Sequence, residues 1–137
     1  AVLARREFAA SEHLHALGVP TTRALALVGT GEMVSRDMFY NGNVQQEPGA
    51  VVCRVSPTFL RFGSFDILQA RGDADGLSQL TDFVITRFYP ELSDVEGEDR
   101  YAALVKATAV KNAELVADWM ALGFTHGVMN TDYVSIA

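Results

Sequence analysis

Four side chains combine a reactive type with a setting that invites chemistry. Asp132 lies in Gly123-Phe124-Thr125-His126-Gly127-Val128-Met129-Asn130-Thr131-Asp132-Tyr133, a polar, glycine-containing stretch ahead of a β-type run. A carboxylate on a loop held between two regular elements is suited to accept a proton or hold a metal. Asn130-Thr131-Asp132 is equally good turn chemistry. Arg54 sits inside the apolar run Ala50–Val55, and Arg61 inside Phe59-Leu60-Arg61-Phe62-Gly63-Ser64-Phe65. Guanidinium groups among aliphatic and aromatic residues pair with a carboxylate or bind phosphate bidentately. Both readings stand on the residues alone: phosphate, or an internal ion pair with Asp37 or Asp66. Glu7 falls on the apolar stripe of a helical pattern, one turn after Leu3 and one before Ala10. An inward carboxylate needs a cation, so Glu7 either positions a lysine or arginine near a ligand or reaches water at the edge of its face.

Other chemistries find less support. His13 and His15 are two apart on a helix and point different ways, which is no metal pair. Cys53 is the only cysteine, so an internal disulfide is ruled out, and the thiol is expected as a small buried apolar residue. Nucleophile elbow, Walker A loop and dinucleotide fingerprint are all missing. The formal net charge of −6 argues against a broad nucleic-acid surface, while leaving room for a local basic nucleotide site. No apolar run approaches the ~20 residues of a membrane span.

The elements that must hold these residues follow from periodicity. Residues 2–17 read as a helix with Leu3, Ala10, Leu14 and Leu17 on one face, ended by Gly18 and Pro20. Residues 23–29 read as a strand, and a glycine-containing connection leads to a second short strand near Met33–Arg36. Asn41-Gly42-Asn43 and Glu47-Pro48-Gly49 are turn signals. Ala50–Val55 is a strand. Helices follow over 75–89, with Leu77, Leu80, Val84 and Phe88 as its stripe, and over 98–122, with Tyr101, Leu104, Val105, Leu115, Val116 and Trp119. Strands followed by helices predict an α+β fold, and a small sheet with one helix ahead of a helical lobe is the layout of a kinase-like bilobal domain. The lobes divide at about residue 65, giving 1–65 and 66–137. Both chain ends read as interior sequence: Ala1 leads straight into a helix, and Val134–Ala137 reads as a strand just starting.

Several long strings resemble the selenoprotein O family of protein adenylyltransferases. They are Arg-Glu-Phe at 6–8, Leu-Gly-Val-Pro-Thr-Thr-Arg-Ala-Leu at 17–25, Arg-Asp-Met-Phe-Tyr at 36–40, Glu-Pro-Gly-Ala-Val-Val-Cys-Arg-Val at 47–55, the segment 59–65, and 123–132. They run in family order over nearly the whole chain. The resemblance implies a kinase-like fold that binds ATP in a flipped orientation and transfers AMP to hydroxyl-bearing side chains of proteins. It implies that Arg54 and Arg61 hold the ATP, that Asp132 accepts the proton, and that Glu7 is the C-helix glutamate pairing with a nucleotide-contacting lysine upstream of Ala1. It also implies Mg²⁺, yet Tyr133 occupies the slot where the family has an asparagine ligand, and the second metal-binding aspartate would lie beyond Ala137. Expected partners are ATP and protein substrates, with neither nucleic acid nor membrane. Expected location is the cytoplasm for a bacterial protein and the mitochondrion for eukaryotic relatives. The competing reading is a catalytically dead kinase-like protein that binds nucleotide or partners, favoured by Tyr133. An ordinary phosphotransferase is disfavoured by Val128, which stands in the usual aspartate slot.

Overall fold

The computed structural model describes residues 2–137; Ala1 lies outside them. The fold is α+β, with four α-helices and a two-stranded antiparallel sheet. The chain forms two compact units, Ala1–Ser56 and Pro57–Ala137.

The first unit comprises helix α1 (Val2–Ala16) and strands β1 (Arg23–Arg36) and β2 (Gln45–Val55). The helix ends where expected, with Gly18 at φ +83°, a conformation that favours glycine. Its buried face differs from the expected stripe. Ser11 is buried, whereas Ala10 is exposed and Leu17 is 48% exposed. The helix lies on the sheet through the line that includes Ser11, one position round from the face drawn by apolar residues alone. Glu12 ties α1 to β1: its carboxylate accepts hydrogen bonds from Arg23 Nε (3.0 Å), Arg23 Nη2 (2.8 Å) and the Ala24 amide (2.8 Å).

Two strand expectations are corrected. The two short strands of the sequence reading are one strand, β1, whose register shifts between Gly29 and Met33. The glycine-containing connection is thus an irregularity within a strand, with Gly31 at φ +79°. Glu47-Pro48-Gly49 is no turn but part of β2, where Pro48 pairs with Met33. Both strands of a two-stranded sheet are edges, and edges tolerate proline. Gly49 lies opposite the irregularity, where a Cβ would come 2.5 Å from Thr30 Oγ1. The Asn41-Gly42-Asn43 turn forms as expected. Asp37 accepts from the Asn41 and Gly42 amides, so Asp37 serves its own loop. Cys53 is exposed rather than buried, because this face of the sheet is left uncovered among the described residues.

The second unit contains α2 (Phe62–Ala70), α3 (Ala74–Phe88), a 3₁₀ turn (Pro90–Leu92) and α4 (Asp99–Ala121). Asp73 caps α3 by accepting from the Gly76 amide at 2.9 Å, and Pro90 stops it. Its apolar stripe packs as read, with Val84 fully buried. On α4 the stripe holds at Leu104, but Val105 is 69% exposed, and Thr108 takes the buried position one turn after Leu104. The core gathers Val84, Ile85, Tyr89, Leu104 and Ile136, and Leu60, Phe62 and Phe65 pack on it. Residues 57–65, read from sequence with the first lobe, thus pack within the second unit. The expected C-terminal strand is reduced to one antiparallel bridge, Ser135 with Arg61. Ile136 is anchored both by burial and by the Tyr89 hydroxyl, which donates to its carbonyl at 2.6 Å.

Candidate active site

In the first unit the structure brings Glu7 and Arg54 together. Glu7 and Ser11 are four residues apart on α1 and so share a face. Arg54, near the end of β2 and paired with Ala24, meets that face. Its Nη1 lies 3.6 Å from Glu7 Oε2, and its Nη2 donates to Ser11 Oγ at 3.2 Å and to Thr22 Oγ1. The buried Ser11 hydroxyl thus obtains a partner that fixes the guanidinium. Neither Asp37 nor Asp66 is the ion-pair partner of Arg54; Glu7 is. The pair is open to water, with 37% of the Arg54 and 66% of the Glu7 side chain exposed, so it contributes at most about 1 kcal/mol to stability. A pair this weak orients a cation without committing it, leaving guanidinium hydrogens for an incoming oxyanion.

In the second unit the structure brings Arg61 and Asp132 onto one backbone frame. Arg61 is the extended N-cap residue of α2, at φ −125° and ψ 165°. An arginine side chain has no acceptor for the free amides of a first helical turn. The loop 131–136 supplies acceptors instead. The Gly63 amide donates to the Thr131 carbonyl at 2.8 Å and the Phe62 amide to the Val134 carbonyl at 3.2 Å. The Ile136 amide returns a bond to the Leu60 carbonyl at 3.1 Å. Arg61 and Asp132 are both exposed, and no ion pair of Arg61 is formed among the described residues. Helix α2 itself was not anticipated from the sequence. Its signal was Ser64, whose hydroxyl accepts from the Arg61 amide at 3.3 Å.

The Asp132 loop is shaped locally. Asn130 Oδ1 accepts from the Asp132 amide at 3.0 Å, and the Asn130 carbonyl accepts from the Tyr133 amide at 3.1 Å. Upstream, the His126 ring stacks on Trp119, with centroids 5.2 Å apart and planes at 13°. This ties the start of the loop to the end of α4. A groove of about 360 Å³ runs beside the loop, lined by Phe62, Val105, Thr108, Asn112, Asn130 and Thr131 among others, none of them charged. Its polar lining is neutral, from threonine and asparagine side chains.

The fit to magnesium is poor. Among the described residues no three or more His, Cys, Asp or Glu gather as a metal-binding group. Tyr133 is 64% exposed and presents a phenol where Mg²⁺ takes compact oxygen ligands in an octahedral shell. Among the described residues no helix is long and apolar enough to cross a membrane.

The chain is 57% identical over 131 residues to the protein nucleotidyltransferase YdiU of Azoarcus sp. (strain BH72) and to that of Xanthomonas campestris pv. campestris (strain B100). It is 55% identical to that of Methylobacillus flagellatus. Each match covers 96% of this chain and 25% of the relative, so the chain spans about a quarter of the length of the curated relatives it matches. The family model described as protein adenylyltransferase SelO matches residues 3–137, and the chain belongs to that family.

Proposed function

We propose that the intact protein transfers AMP from ATP to a serine, threonine or tyrosine hydroxyl of a protein substrate. The carrying observation is the bonding of the Arg61 segment to the Asp132 loop, through Gly63 to Thr131 and Phe62 to Val134. It ties the segment that carries a permanent cation to the loop that carries a carboxylate. In this reading the substrate hydroxyl oxygen attacks the α-phosphorus and forms the new P–O bond. The bond from the α-phosphorus to the bridging oxygen breaks, and pyrophosphate leaves with its electron pair. Asp132 takes the hydroxyl proton. Each arginine, Arg54 in the first unit and Arg61 in the second, offers a guanidinium to phosphate charge, and Glu7 orients Arg54. The family fold supports reading the sheet with α1 as part of a kinase-like N lobe and the helices as part of its C lobe. ATP is the nucleotide of this reading, and the divalent metal that nucleotidyltransfer usually employs would supply further charge neutralisation.

Tyr133 favours a second reading, in which the protein binds nucleotide without turnover. One experiment separates the two. The intact protein is incubated with ATP and a protein substrate mixture, and products are identified by intact mass spectrometry. AMP adducts are expected, with Asp132→Asn slowing their formation by about 10²–10⁴-fold, the usual worth of a general base. Phosphate adducts, or an undiminished rate in Asp132→Asn, would overturn the reading; ATP binding with no adduct selects the second.

A further inference from the structure

The proximity of Gly63 to Asp132 goes beyond the roles above. Gly63 is the second residue of α2, and its amide bonds the Thr131 carbonyl at 2.8 Å. That bond draws the Asp132 loop onto the first turn of the helix. A Cβ at position 63 would meet Asp132 Oδ1 at 2.5 Å, Asp132 Cγ at 3.5 Å and the Thr131 carbonyl oxygen at 3.3 Å. The first distance is well inside contact, and the third involves backbone that yields little. The φ of Gly63 is not in the left-handed region, so the backbone itself would accept alanine. Only the space taken by the Asp132 carboxylate and its loop excludes a side chain.

We propose that Gly63 is a positioning residue for Asp132: its missing side chain lets the carboxylate seat against the start of α2. The proposal rests on the reading of Asp132 as proton acceptor for its catalytic consequence, but the seating itself is a separate, measurable property. A methyl group here forces the carboxylate to move by a fraction of an ångström to an ångström. Displacement on that scale costs up to about 10²-fold in rate while leaving nucleotide contacts elsewhere unchanged.

The test uses the intact protein with Gly63→Ala, Asp132→Ala and the double variant. Gly63→Ala is expected to lower kcat for AMP transfer by about 10- to 100-fold, with KM for ATP within about twofold of wild type. In thermal unfolding, Gly63→Ala is expected to lower Tm, and the loss should shrink by half or more once Asp132→Ala has removed the carboxylate it strikes. This coupling is what a double-mutant cycle isolates. An equal Tm loss in both backgrounds, or a wild-type kcat in Gly63→Ala, would overturn the proposal. Should Gly63→Ala fail to fold, recovery of a folded double variant supports it and failure of both overturns it. If wild type transfers no AMP, the functional reading fails, and the Tm cycle alone decides whether Gly63 seats Asp132.

Discussion

Arg54 is held by the fold on several sides and still reaches solvent. Ser11, Thr22 and Glu7 surround it, yet more than a third of it is open. Two neutral hydroxyls leave the charge of the guanidinium intact, and a solvated carboxylate 3.6 Å away holds it only weakly. Replacing it with alanine removes one charge-assisted interaction with phosphate, about 1.5–3 kcal/mol. Arg54→Ala in the intact protein is therefore expected to weaken ATP binding about 10- to 100-fold, read by calorimetric titration. Unchanged affinity would remove Arg54 from the nucleotide site. The residue readings from sequence were partly sufficient here. Its place inside an apolar run singled out Arg54, but its partner, Glu7, was not legible, because sequence spacing does not say which helix face meets which strand.

At the scale of elements, the junction of α1 with β1 depends on Glu12. Its hydrogen bond from Arg23, then the Ala24 amide, lower its pKa from the ordinary 4.5 to about 2. A depressed carboxylate pKa contributes stability that is complete above the unfolded value and is lost as pH falls toward the folded one. The Tm of wild type should therefore decline through the window from about pH 4.5 down to about 2, and Glu12→Gln should decline less across it. Parallel melting curves for the two proteins over that range would dissociate Glu12 from the junction. Among the other elements, α3 and its C-terminal stop were readable because the apolar stripe and Pro90 agree. Helix α2 was not, because Arg61 is a poor cap by type and the acceptors for its first amides come from residues 131 and 134, some seventy positions away. Pro48 misled for the related reason that an edge strand accepts proline while a turn favours it.

At the scale of the whole molecule, the chain contains four proposed site residues but no assembled metal shell among the described residues. On the proposed reading, pyrophosphate departure develops charge that a divalent metal would help to neutralise. The 137 residues tested alone are therefore expected to transfer little or no AMP, less than about 1% of the intact protein, in a labelled-ATP assay; robust transfer by this piece would show that Arg54, Arg61 and Asp132 suffice. What the sequence by itself determined was the family, through long strings in order, and the α+β class. Periodicity carries the class, because each helix or strand buries one face whatever it packs against; the family rests on the strings. What only the tertiary structure decided was partnership: Glu7 with Arg54, the loop carbonyls of Thr131 and Val134 with the start of α2, and the space at Gly63 with Asp132. Each joins residues far apart in the chain, and such contacts depend on how faces meet in three dimensions, which no local pattern encodes.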